Sequence, residues 1–382
     1  MFYDWLSCYQ DYDFDLPIIS ESGWCFIDYT APDDEQIKSP RQNKHQHEGS
    51  YSTSIQIHVK GRRLCVSGNP SRFNRLDNLF GLDTVDKCVG VYNTILQSLG
   101  LPMLTKCTRL GLMEVKQESG AIKFVPVVDG CIITTFHITT NIAVGAGTCI
   151  DTYIRAVSGL SYLNRRGRLH PDGKTADWLS NMGNAREMYP SIYDKANEMI
   201  NGRGCTLARV KKKYGEHSEE YRYYHDLYQY CKEMGVARFE QKLNSPYLKK
   251  HNLQYFGLSD YSILNQLHSE FLNLDEKLKV NDMELETISQ TLLSQHIVDN
   301  TKAANLTTLY AYQWMQGTKF DLSKSQVKVH RARLRKIGID IAKPCNLHTF
   351  SPVVIKKVTE IEKRELQPPA FYKHPNHLRL VA

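Results

Sequence analysis

At 382 residues, with a formal charge of +7 from 48 Lys and Arg against 41 Asp and Glu, the chain is long enough for two or three domains. Its length excludes a small stapled fold, and its modest basic excess suits a polyanionic partner without requiring one. The 10 cysteines stand singly, with no Cys-x-x-Cys spacing, so reduced cytoplasmic thiols are expected. Met1-Phe2-Tyr3-Asp4-Trp5 lacks the basic region and apolar core of a secretory signal, and no uninterrupted apolar stretch is long enough to span a bilayer. A soluble protein that remains in the cell that makes it is expected.

Along the chain, Ser52 to Val59 alternates, turns at Gly61 and returns through Leu64-Cys65-Val66-Ser67, which predicts a β-hairpin. Thr84 to Leu99 carries apolar residues at helical spacing and stops at Gly100-Leu101-Pro102. Leu110 to Val115 and Cys131 to Ile142 read as two strands hairpinned to one another, and Thr148 to Val157 as a helix. Next comes a strand containing Tyr193, then a charged, tyrosine-rich helix over Lys211 to Lys232. A last strand follows over Gly235 to Leu243. These elements predict an α+β unit with a central antiparallel sheet and flanking helices over residues 1–256.

Beyond Gly257 the pattern turns helical. Leu309 to Met315 ends near Gly317, and Ser323 opens a helix carrying Arg331, Arg333 and Arg335 that closes at Gly338. Helix, turn and basic helix predict a helical DNA-binding domain at 257–343 with a helix-turn-helix-like unit. Two packed helices with a basic outer face give the same pattern. Residues 344–382, with Pro368-Pro369 and a basic end, are expected to form an extended tail.

Chemistry concentrates in a few rows. If the segment Met188 to Glu198 is extended, period-two alternation points Tyr193 and Lys195 to one face, where an ammonium can favour the phenolate form of a tyrosine nucleophile. A half-buried tyrosine beside a solvated lysine has the same sequence. Along Ile132 to Asn141, the side chains of His137, Thr139 and Asn141 share a face, as metal ligands or as hydrogen-bonded core residues. Arg238, Glu240 and Lys242 share another, usually a solvated edge. If that row faces His137, Glu240 becomes a hard oxygen ligand and Arg238 a phosphate clamp. Glu114 is a reserve ligand, and no Gly-x-x-x-x-Gly-Lys-[Ser/Thr] sequence is present.

Taken in order, five pieces resemble the gene-two family of filamentous-phage replication initiators, and within it the RstA-type proteins of vibriophages. They are Ser67 to Phe73 with Asn78-Leu79-Phe80-Gly81, the strand ending His137-Ile138-Thr139-Thr140-Asn141, Gly183 to Lys195 with Arg186, Arg238-Phe239-Glu240, and Arg331 to Ile341. The resemblance implies a sheet of the HUH/Rep-like type and a rolling-circle initiator acting in the bacterial host cytoplasm. Such a protein nicks one strand of the double-stranded origin, stays joined to the 5′ phosphate through tyrosine and reseals the displaced single-stranded circle. It further implies Tyr193 as nucleophile supported by Lys195, with Tyr189 as a second or alternative tyrosine. Arg238 and Glu240 match the family's Arg-x-Glu strand, whereas His137 and Asn141 stand where relatives often carry acidic residues; the candidate Mg²⁺ or Mn²⁺ ligands read from the residues are His137, Asn141 and Glu240, with Glu114 in reserve. Arg186, Arg238, Arg331, Arg333 and Arg335 are the candidate DNA contacts. Host helicase and polymerase are the implied partners, no membrane is involved, and a homo-oligomer is compatible. The rival reading is a non-enzymatic, sequence-specific DNA-binding regulator.

Overall fold

In the computed structural model, residues 1–17, 54–145, 148–180, 182–202, 206–276, 285–315, 318–342 and 363–373 are described, together with short strands at 27–28, 36–37 and 45–48. The strands are β1 (Phe2–Asp11), β2 (Ile27–Asp28), β3 (Gln36–Ile37), β4 (His45–Glu48), β5 (Ser54–Lys60), β6 (Arg63–Gly68), β7 (Leu110–Lys116), β8 (Ile122–Val128), β9 (Ile132–Ala143), β10 (Ser161–Tyr162), β11 (Arg165–Leu169), β12 (Thr175–Ser180), β13 (Met188–Asp194), β14 (Val236–Asn244) and β15 (Arg364–Glu365). The helices are α1 (Val85–Ser98), α2 (Thr148–Ser158), α3 (Lys195–Asn201), α4 (Leu207–Tyr214), α5 (Glu219–Met234), α6 (Ser245–Lys250), α7 (Ile263–Leu272), α8 (Leu285–Ser294), α9 (Thr301–Met315) and α10 (Ser325–Lys336). The architecture is α+β around a large antiparallel sheet.

That sheet has 11 strands in the order β10-β11-β12-β13-β14-β9-β1-β6-β5-β4, with β15 paired to β9. Its centre is β14, which lies between β13 and β9 in antiparallel register. Because side chains alternate along each strand, the register sorts the residues into two faces. On the reverse face, Ile138, Phe239, Leu243, Ile192 and Trp178 pack with Tyr153 and Val157 of α2 and Leu264 and Phe271 of α7. Phe271 meets Trp178 and Phe239 edge-on at centroid distances of 5.3 and 5.5 Å, an arrangement worth about 0.5–1.5 kcal/mol per pair beyond burial. Helices α3 to α5 cover one end of the front face, where Met199, Val210, Leu227 and Cys231 pack with Ala143 and Val236. The rest of that face is polar.

Several expectations need correction. Leu110 to Lys116 pairs with β8, not with β9, and makes a separate two-stranded sheet whose β7 residues are all exposed. The turn at Gly120, with φ of +80°, closes this hairpin before the chain reaches β9. The helix expected over 211–232 is broken at Gly215, so Lys211-Lys212-Lys213-Tyr214 ends α4 and the tyrosines from Tyr221 onward lie on α5. Leu264, Phe271 and Leu274 share the first core, which carries the first unit past residue 256.

A separate core, including Ile288, Leu292, Trp314, Val327 and Leu334, joins α8, α9 and α10. His330 of α10 stacks on Tyr310 of α9 at 4.3 Å and meets the Thr307 hydroxyl at 2.9 Å. The described residues 318–324 that precede α10 already make a longer link than the turn of about 3–4 residues in a helix-turn-helix. The tail is not wholly an extended arm: β15 pairs with β9, and Leu366 and Tyr372 are buried among α3 to α5.

Gly235 carries α5 directly into β14. It adopts φ of +60°, and a Cβ there would lie 1.6 Å from the Gly145 carbonyl oxygen. Backbone atoms cannot yield as a flexible side chain can. Gly235→Ala is therefore expected to lower unfolding stability by about 2–4 kcal/mol, read from the urea midpoint.

Candidate active site

Three rows cross the polar face. Register places Thr175 opposite Tyr193, Tyr193 opposite Arg238 and Arg238 opposite Asn141. The next row is Asp177, Ser191, Glu240 and Thr139; the third is Tyr189, Lys242, His137 and Trp5. Thus the rows of His137 and Glu240 do share one face, as their alternation required if β9 and β14 were neighbours.

Glu240 is the hub. The Tyr193 hydroxyl donates to its Oε2 at 3.1 Å, His137 Nδ1 lies 3.3 Å from its Oε1, and the Lys242 ammonium lies 3.7 Å from Oε1. Trp5 stacks on the His137 ring with centroids 5.9 Å apart. Burial opposes ionisation of Glu240, but the hydrogen bond and field of His137, with Lys242 and Arg238, hold its carboxyl below the usual range. Tyr193 is half-buried. Burial, then the charges of Glu240, Glu198 and Asp4, push its phenol well above the ordinary value, with Arg238 pulling the other way.

Lys195 does not take the position that strand alternation predicted. Asp194 ends β13 and caps α3, its carboxylate accepting from the Asn197 amide at 3.1 Å, so Lys195 is the first helical residue. Its buried ammonium bonds Asn78 Oδ1 at 3.0 Å and Glu198 Oε2 at 2.7 Å. Arg238 is also not an open phosphate clamp. With 0 % exposure, its guanidinium pairs with Asp4 at 2.7 Å and donates to the Asn78 carbonyl at 2.9 Å. Asn69 and Asn78 both donate to Asp4 Oδ1, at 2.6 and 2.8 Å.

The other expected metal ligands divide. Glu114 lies on the exposed β7–β8 hairpin, outside the main sheet, so it is not a neighbour of His137 in the sheet. Asn141 shares the face, but it is four residues from His137, roughly 13 Å along a strand, and its amide donates to the Leu79 carbonyl. Its Oδ1 is buried and without a hydrogen bond among the described residues, a spare acceptor oxygen too far along the strand to join His137. Among the described residues no group of three or more His, Cys, Asp and Glu is clustered for a metal. His137 and Glu240 remain adjacent, one imidazole and one carboxylate, and fit a hard divalent ion that takes its other ligands from phosphate and water.

The structure adds a cluster absent from the sequence reading. Asp177, fully buried, accepts from the Tyr189 hydroxyl at 2.8 Å, from Arg168 at 3.0 and 2.6 Å, and meets His170 Nε2 at 2.7 Å. Burial and the Asp177 carboxylate push Tyr189 up to about 12. Burial opposes the ionisation of Asp177, yet the bonds from Arg168, His170 and Tyr189 hold it below the usual range. Only part of the signal is local: His170-Pro171-Asp172-Gly173 is a turn sequence that predicts a hairpin, but bringing Asp177 to Arg168 and Tyr189 needs the pairing of β11, β12 and β13.

The basic candidates lie elsewhere. Arg186 is exposed just before β13. On α10, Arg331 is held by Asp340 at 2.7 Å, Arg335 is exposed and reaches Asn164 at 3.4 Å, and Arg333 is half-buried.

Removing Asp4 would strand a buried guanidinium. Asp4→Ala is expected to destabilise by about 3–5 kcal/mol in urea unfolding. Because folding lowers the Glu240 carboxyl, its contribution to stability is complete above the unfolded-state value of about 4.3. It is lost as pH falls below that value toward the folded one, so Glu240→Gln is expected to flatten the acid-side fall in stability.

Two family models cover most of the chain. The N-terminal model of the phage gene-two replication-associated protein matches residues 2–263, and the C-terminal model of the same protein matches residues 292–378. A curated relative, the gene-two replication-associated protein of Escherichia phage If1, is 52% identical over 328 residues, covering 86% of this chain and 99% of that one. No solved structure matches. Among the described residues no helix is long and apolar enough to cross a membrane. With both family segments matched in order and half of the aligned residues identical to a gene-two protein, the chain belongs to the gene-two family of filamentous-phage replication initiators.

Proposed function

We propose that this initiator nicks one strand of its double-stranded phage origin by transesterification at Tyr193, within a sheet of HUH/Rep-like type. It acts in the host cytoplasm, stays linked to the 5′ phosphate and later reseals the displaced circle. The observation that carries the reading is the chain of contacts from the Tyr193 hydroxyl through Glu240 to His137 on a polar sheet face. A phenol held protonated in the resting state needs a proton acceptor, and an ionised carboxylate in hydrogen-bond contact is one.

In the forward step the Tyr193 oxygen forms a bond to phosphorus while the bond from phosphorus to the 3′ oxygen breaks. Glu240 accepts the phenolic proton, balancing the one that the leaving 3′ oxygen takes up. Arg238 places a fixed positive charge beside the phenol, favouring the developing phenolate. Lys195 supports the site indirectly by holding Asn78. His137 and Glu240 would hold Mg²⁺ or Mn²⁺, which supplies Lewis-acid polarisation of the phosphate when bound. The phosphotyrosine retains the ester bond, so resealing is the same step reversed and needs no nucleotide. Lacking a phosphate-binding loop sequence, the protein leaves unwinding to a host helicase and extension to a host polymerase. The helical unit of α8 to α10, with Arg333 and Arg335, and the exposed Arg186 are the proposed DNA contacts.

The test is relaxation of supercoiled origin plasmid with Mg²⁺ or Mn²⁺, scored together with the covalent protein–DNA adduct. Tyr193→Phe is expected to abolish both while leaving origin binding intact, and Tyr189→Phe to retain the adduct. Glu240→Gln should slow nicking by about 10²–10⁴-fold, and chelation should stop it. Adduct formation by Tyr193→Phe would transfer the role to another tyrosine; binding without nicking by the natural protein would leave the regulator reading.

A further inference from the structure

The loop at residues 75–80 supports the front face of the sheet from one end. Its Asn78 side chain takes the Lys195 ammonium and donates to Asp4, its Asn78 carbonyl takes Arg238, and its Leu79 carbonyl takes Asn141. Every one of these contacts depends on the loop's own conformation. That conformation is held by Asp77, whose Oδ1 accepts from the Leu79 amide at 2.9 Å.

Asp77 is in turn held from the far end of the chain. The Tyr372 hydroxyl donates to Asp77 Oδ1 at 3.0 Å, accepts from the Phe80 amide at 3.2 Å and receives a bond from Arg75. Its ring packs edge-on against Phe80 at 5.0 Å. The segment carrying Tyr372 is anchored along its length: Lys363 bonds Asp275 at 2.7 Å, β15 pairs with β9, and the Tyr230 hydroxyl bonds the Gln367 carbonyl at 2.5 Å. A hydroxyl that satisfies a carboxylate, a backbone amide and a guanidinium at once fixes a geometry that packing alone would leave loose.

We propose that Tyr372 is a positioning residue for strand cleavage, its hydroxyl setting the 75–80 loop and, through it, Arg238 and Lys195. The C-terminal strap over residues 363–373 is then part of the catalytic unit, although it follows the helical unit in sequence. This deepens the reading above and rests on Tyr193 as the nucleophile.

The experiment compares full-length Tyr372→Phe and Tyr372→Ala with the natural protein. Three quantities are read: single-turnover cleavage of an origin oligonucleotide, affinity for the origin duplex, and hydrogen exchange of the Leu79 and Phe80 amides. Tyr372→Phe keeps the ring and loses only the hydroxyl. It is expected to slow cleavage about ten-fold and speed exchange at both amides, with duplex affinity unchanged. Natural-rate cleavage by Tyr372→Phe overturns the proposal, whether Tyr372→Ala is slow, because the ring then merely fills space, or fast. Should Tyr372→Ala fail to fold, Tyr372→Phe still decides. Tyr193→Phe is run in parallel: an adduct there removes the nucleophile assignment, whereas unchanged amide exchange in Tyr372→Phe removes the strap's role alone.

Discussion

A buried charge organises this molecule. The Arg238 guanidinium has no exposure to solvent, and its charge is sustained by Asp4 from the first strand and by the carbonyl of Asn78. Asp4 is itself fixed by Asn69 and Asn78. Such a pair adds little net stability over apolar packing, but losing one member leaves an uncompensated charge in a low-dielectric setting. The chain's beginning, the loop before α1 and the central strand β14 must therefore come together correctly or not at all. Tyr193, directly opposite Arg238 on the neighbouring strand, inherits its position from that requirement.

The two faces of β14 use different chemistry for the same end. At the front, Arg238, Glu240 and Lys242 bear charge. Behind, Gln241 bonds the Tyr162 hydroxyl and meets His268 Nδ1 at 2.7 Å, while His268 Nε2 reaches Thr140 on β9 at 2.9 Å. Burial pushes His268 down to about 3, so it bridges the two strands as a neutral ring. A charged residue there would have no counter-ion among the apolar side chains of α2 and α7. Register between β9 and β14 is thus held by the His268 hydrogen bonds on one side and by the His137–Glu240 contact on the other.

The front face also separates two tyrosines that look interchangeable in sequence. Tyr193 donates to a carboxylate flanked by His137 and Lys242, and Tyr189 to one flanked by Arg168 and His170. Both phenols stay protonated at rest, so each carboxylate accepts a hydrogen bond from its phenol rather than acting as a repelling charge. Three side chains engage each carboxylate: a guanidinium, an imidazole and a phenol at Asp177, and an imidazole, a phenol and a more distant ammonium, 3.7 Å away, at Glu240.

The amino-acid sequence alone determined which residues lie together along each strand. His137, Thr139 and Asn141, or Arg238, Glu240 and Lys242, share a face because alternation is a local property of extended backbone. The same local logic fails at Lys195, where the Asp194 cap replaces strand by helix, and at Glu114, where the strand over Ile122–Val128 intervenes and takes the pairing. It finds α1, α2 and α10 through their periodicity, but not the Asp177 cluster, whose members come from three strands and a turn. Only the tertiary structure decided that β9 pairs with β14, that Asp4 neutralises Arg238 and that Tyr372 returns to Asp77. Those contacts join residues more than 90 positions apart, and their free energy arises from excluding water around paired groups, a quantity no local window contains.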